Sequence, residues 1–236
     1  MSNETPITVV AFGDSITAAG QQAVEDRWPE ILWRGLQKQF STPGVIVINA
    51  GAGGNTTREG LARIEQDVLR HNPRFVLVEF GNDIVPEPDR HVTFEEFTAN
   101  LNLIRTKVAQ RSNGQIILLT FPPIIDSWHS HYRHEFFLQN GGQDAYQERY
   151  RELTRQFARA NAVALLDIDK ALRRAITLRN PEEYILKDGV HLTAQGNHLV
   201  AKVVLEFLSA KIDGILRESK GANQQIQPIA GKPGSG

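Results

Sequence analysis

Short apolar runs alternate along the chain with stretches of helical spacing. Ile7–Phe12, Val45–Asn49, Phe75–Phe80, Gln115–Phe121 and Val163–Asp167 are nearly continuous in apolar and β-branched residues, the pattern of parallel strands covered on both faces. Between them the period changes. Leu61, Ile64 and Val68 form one stripe, Phe94, Phe97, Leu101, Ile104 and Val108 a second, and Tyr146, Tyr150, Leu153 and Phe157 a third. Each stripe is the signature of a helix that buries one face, and the aromatics of the third are read as core. Thr93 with Glu96 three residues on predicts a cap for the second stripe. Trp28-Pro29 predicts the start of the first helix, since proline is tolerated in a first turn. A last helix is expected from about Ala194 to Leu216. Strand and helix alternating in this way predict an α/β fold with one parallel sheet between helical layers. No internal repeat and no second core is visible, so the expectation is one domain over residues 1–218. Residues 219–236, rich in Gly, Gln and Pro, are expected to form a flexible tail.

One segment breaks the rhythm. From Pro122 to Gly142 the chain reads PPIIDSWHSHYRHEFFLQNGG, a connection of roughly 20 residues where a handful is usual. Its aromatics and histidines predict a segment that faces substrate, with Trp128, His129 and His131 as the contact candidates. His129, His131 and His134 also invite a metal reading, but their spacing fits no standard zinc pattern, so no metal site is expected.

The chemistry gathers where strands end. Ser15 follows the first strand in Gly13-Asp14-Ser15-Ile16, Gly51-Ala52-Gly53-Gly54-Asn55-Thr56-Thr57 follows the second, and Gly81-Asn82-Asp83 follows the third. In an open parallel sheet these ends share one edge, where ligands bind at the topological switch point. A strand order of 2-1-3-4-5 would set Ser15 and Asn82 across that crevice. Near the other end of the chain, Asp188-Gly189-Val190-His191 spaces an acid and an imidazole three apart. A serine, a base to take its proton and a carboxylate to orient that base are the equipment of nucleophilic acyl transfer. A carbonyl under attack needs donors for its oxygen; the N–H groups of Ser15 and Gly54 and the amide of Asn82 could supply them. Gly51–Gly54 could instead cradle a phosphate, yet it lacks both GxGxxG spacing and a Gly-Lys-Ser/Thr ending. Asp14 stands with the candidates for substrate contact, beside the alternative of a structural hydrogen-bonding role at the turn.

Together these blocks resemble the GDSL family of esterases and lipases, also called SGNH hydrolases. The resemblance rests on Gly13-Asp14-Ser15-Ile16, with Ile where Leu is commonest, on Asn49–Thr56, on Gly81-Asn82-Asp83 and on Asp188-Gly189-Val190-His191, and spans residues 7 to 216. It implies a flavodoxin-like three-layer α/β/α sandwich with a five-stranded sheet, a triad of Ser15, Asp188 and His191, an oxyanion hole of Ser15, Gly54 and Asn82, and no metal or organic cofactor.

Bulk properties narrow the rest. The 236 residues carry a net charge of -1 and no cysteine. That removes a basic field for nucleic acid, disulfides and thiolate metal sites. No stretch approaches the roughly 18 apolar residues of a membrane span. Met1–Pro6 shows no basic segment followed by a signal-length apolar run, so the expected location is the cytoplasm, with a secreted protein that has lost its leader as the alternative. Without a long apolar run to line an acyl tunnel, the expected substrate is a small-molecule ester of a short acyl group, with acetylated carbohydrate as the guess. A lysophospholipase or acyl thioesterase is the alternative.

Overall fold

The computed structural model describes residues 5–41, 44–112 and 114–224. Five parallel strands, β1 (Ile7–Gly13), β2 (Val45–Gly51), β3 (Phe75–Glu79), β4 (Gln115–Leu119) and β5 (Ala164–Leu166), form one sheet in the order β2-β1-β3-β4-β5. The central strands carry the core: Val9 to Phe12 and Phe75 to Val78 are almost wholly buried, which is why their sequences run apolar without alternation.

The helices are α1 (Ser15–Ala18), α2 (Trp28–Gln39), α3 (Thr57–Asp67), α4 (Phe94–Ser112), α5 (Glu135–Gln139), α6 (Gln143–Ala160), α7 (Ile168–Leu178) and α8 (Ala194–Gln224). α2 and α8 pack together over β2, while α3, α4 and α6 pack in succession on the sheet. The stripes behave as expected: Ile64, Leu101, Ile104, Val108, Tyr146, Tyr150 and Phe157 are all buried. Thr93 caps α4 by accepting from the Glu96 N–H at 3.2 Å, but the Glu96 carboxylate turns outward to Arg58 at 2.7 Å. Thr56 supplies the complete capping box, with Glu59, at the start of α3.

Three elements depart from the expectation. A one-turn helix at Ser15 precedes the helix that begins at Trp28. α7 lies unforeseen after β5, where Ile168 and Leu172 are buried and Asp167 caps the first turn at Lys170 N. α8 runs to Gln224, so the expected tail continues the helix for six residues; residues 225–236 lie outside the described residues. No helix among the described residues is long and apolar enough to cross a membrane.

Candidate active site

β1 and β3 are neighbours, so their carboxyl ends bring Asp14-Ser15 and Gly81-Asn82 together. Asp14 caps α1 by accepting from Ile16 N at 2.9 Å. Its other oxygen accepts from Gly81 N at 2.8 Å and from Asn82 Nδ2 at 2.9 Å. Asp14 is wholly buried, so the expectation of substrate contact there is corrected: it is a strut between two strand ends. Beneath it, Glu79 is also buried and accepts from Thr17 Oγ1 at 2.8 Å. Burial, with the Asp14 charge beside it, pushes the Glu79 carboxyl well above the usual carboxylate range. Asp14, with three donors to Glu79's one, is the member that keeps the negative charge.

The loop after β2 is drawn in from two directions. Ala52 N donates to Gly13 O at 3.0 Å. Arg63, on α3, donates to Asn55 Oδ1 (2.7 Å), Ala50 O (2.7 Å) and Gly13 O (2.8 Å), strapping both strand ends to the loop. Gly54 sits at φ 74, a left-handed conformation that disfavours any side chain. Its carbonyl accepts from Arg90 Nη2 at 2.6 Å. Among the described residues, the N–H groups of Ser15 and Gly54 donate to no other protein group, and Asn82 keeps one amide N–H beyond that given to Asp14.

The loop between η-turn Pro181–Glu183 and α8 brings the acid and base. His191 Nδ1 lies 2.7 Å from Asp188 Oδ2, and His191 Nε2 lies 3.0 Å from Ser15 Oγ. With a carboxylate on Nδ1, the proton sits there and Nε2 presents its lone pair to the hydroxyl. Burial pushes the Asp188 carboxyl up, but the N–H groups of Val190 and His191 and the imidazole outweigh it and hold the group below the ordinary range. Gly189 makes this turn possible: a Cβ there would fall 2.6 Å from Ile125 O and 2.9 Å from His129 N.

The long connection therefore touches the site. Ile125 N donates to Gly189 O at 2.8 Å. His129 and His131, with Asn82, Ile84, Phe121 and Phe137, line a small cavity of about 110 Å³ beside Asn82. Trp128 is not among its walls and lies instead against Lys187, whose Nζ is 4.6 Å from the ring. The rings of His129, His131 and His134 follow one another edge to face, and no group of three or more metal-ligating side chains converges among the described residues. The connection is held at its base by Arg151, whose side chain is wholly buried against Phe121 O, Pro122 O and Asp144. Arg63, Arg90 and Arg151 carry no local motif, which is why sequence reading passed over them.

A model of the GDSL-like lipase/acylhydrolase family matches residues 11–199. The arylesterase of Vibrio mimicus is 26% identical over 201 residues, covering 85% of this chain and 87% of that enzyme. The acetylxylan esterase of Geobacillus stearothermophilus is 26% identical over 180 residues, covering 72% and 75%. Among solved structures, a lipase/acylhydrolase from Enterococcus faecalis superposes with a TM-score of 0.70 at 26% identity, over 87% of this chain and 96% of that one.

Proposed function

The chain belongs to the GDSL-like lipase/acylhydrolase family and is a carboxylic ester hydrolase, and from that premise we propose that it cleaves short-chain acyl esters, acetyl esters of carbohydrates among them, through an acyl-serine at Ser15. The observation that carries the mechanism is the unbroken relay from Asp188 through His191 to Ser15, at 2.7 and 3.0 Å. Ser15 Oγ attacks the ester carbon while His191 Nε2 takes its proton, and Asp188 steadies the imidazolium that results. The carbonyl oxygen, now negative, is received by the N–H groups of Ser15 and Gly54 and by the Asn82 amide. The bond to the alcohol breaks as His191 returns the proton to the leaving oxygen. Water, deprotonated by the same histidine, then attacks the acyl-serine and frees the carboxylic acid and Ser15.

Short acyl groups are favoured by the size of the cavity beside Asn82, and a carbohydrate alcohol by the similarity to an acetylxylan esterase. The test compares p-nitrophenyl acetate with p-nitrophenyl octanoate in the wild type and in Ser15→Ala. Acetate is expected to be the faster substrate, and Ser15→Ala to lose at least about 10⁴-fold in kcat together with labelling by a fluorophosphonate. Faster octanoate turnover would remove the short-acyl reading and favour a lysophospholipase or thioesterase.

A further inference from the structure

The cavity beside Asn82 contains a group that the ester chemistry leaves unused. Its walls are mostly apolar, formed by Ile84, Val85, Phe121 and Phe137, yet the side chain of Gln143 lines it too. Gln143 opens α6 and is 6% exposed. Its amide makes no hydrogen bond to any described residue, and its Oε1 is shielded from solvent and unpaired. A primary amide brings two donors and a two-lone-pair acceptor, and burying them unmet is costly enough that each case asks for a reason. None of the polar neighbours bonds to Gln143: His129 Nδ1 accepts from His131 N at 3.1 Å, and Asn82 gives one of its N–H groups to Asp14.

Volume limits what this amide can meet. About 110 Å³, at roughly 30 Å³ for each water-sized group, admits about four non-hydrogen atoms and no sugar ring. A sugar ring does not fit this volume, whereas the remainder of a short acyl chain does. Resting on the reading of Ser15 as the nucleophile for short acyl esters, we propose that Gln143 is a specificity-determining residue that hydrogen-bonds an oxygen substituent on the acyl chain. The enzyme then prefers short hydroxyacyl or oxoacyl esters to unsubstituted esters of the same length. The apolar walls take the carbon skeleton, and the amide N–H end, Oε1 being closed off from water-sized groups, donates to the substituent oxygen. The remainder of a 3-hydroxybutyryl group beyond its carbonyl carbon has about the four atoms that the volume admits.

The test uses p-nitrophenyl butyrate and p-nitrophenyl 3-hydroxybutyrate, which share leaving group and chain length, so that the ratio of their kcat/KM values isolates the hydroxyl. The wild type is expected to favour the hydroxy ester by about tenfold, and Gln143→Met to bring the ratio close to one. Gln147 lies one turn along α6, is equally buried and unpaired, and does not line the cavity. Gln147→Met is therefore expected to keep the wild-type ratio. A wild-type ratio at or below one overturns the proposal, as does a ratio that survives Gln143→Met or falls equally in Gln147→Met. If Gln143→Met does not fold, the wild-type ratio decides. Failure of the parent reading looks different: neither ester is hydrolysed, or Ser15→Ala keeps the rate.

Discussion

Asp14 accepts a hydrogen bond from the side-chain amide of Asn82 at 2.9 Å, so the residue preceding the proposed nucleophile aims the proposed oxyanion donor 68 positions away in sequence. The same carboxylate oxygen holds Gly81 N, which fixes the backbone that carries Asn82. Removing the carboxylate should free the amide to rotate away from the oxygen it serves. We expect Asp14→Ala to lower kcat by about 10²-fold, the scale of a lost oxyanion donor. The double variant with Asn82→Ala should be little worse than either alone, because both remove one interaction. Steady-state kinetics of the three variants checks this, and full additivity would show that the two residues act separately.

Asp83 makes stability depend on pH in an unusual direction. Burial pushes its carboxyl up to about 7, against the hydrogen bonds from Thr57 Oγ1 and N that favour its charged form. A folded-state value above the unfolded one means that the native protein holds the extra proton. The stability Asp83 contributes is thus fully present below about pH 4 and is lost as pH rises through about 7. Asp83→Asn cannot ionise and should gain on the wild type by about 2–3 kcal/mol between pH 5 and pH 8. Urea unfolding at the two pH values measures the gap; a constant gap would mean that Asp83 is already charged at pH 5.

Arg151 anchors the connection that walls the cavity. Its guanidinium is wholly buried and reaches Asp144 at 2.7 Å, Glu148 at 3.1 Å and Asp169 at 3.4 Å, besides three backbone carbonyls. Arg151→Met would strand Asp169, itself buried, with fewer positive partners. The expected loss is about 3–5 kcal/mol in denaturant unfolding, the usual penalty for breaking a buried pair from one side. A loss below about 1 kcal/mol would show that Arg155 and Arg173, 2.9 and 2.7 Å from Asp169, can carry the charge without it.

The sheet was legible because its central strands are buried on both faces and so read as unbroken apolar runs, Val9 to Phe12 most clearly. The site was legible where motif and strand end coincide, at Ser15, Gly54, Asn82 and the Asp188–His191 turn. What escaped depends on partners far along the chain. Arg63 reaches Gly13 O across 50 residues, and nothing near either residue announces the contact. Asp14 reads in the sequence both as a substrate contact and as a structural hydrogen-bonding residue, and its enclosure between the ends of β1 and β3 decides for the second. α7 is marked in the sequence only by Ile168, Leu172 and Ile176 at four-residue steps, a short stripe that follows the apolar residues of β5 with only Asp167 between. Gln143 stood one residue past the long connection, and its burial follows from the turn of α5 back onto α6 rather than from any local pattern.

The pairing of Ile125 N with Gly189 O, at 2.8 Å, ties the connection that walls the cavity to the turn that carries His191. Replacing the whole connection would therefore remove a prop from the turn carrying His191 along with the cavity wall. Redesign of this enzyme has to keep residues 125–129, which pack on Gly189, and vary only what lies beyond them.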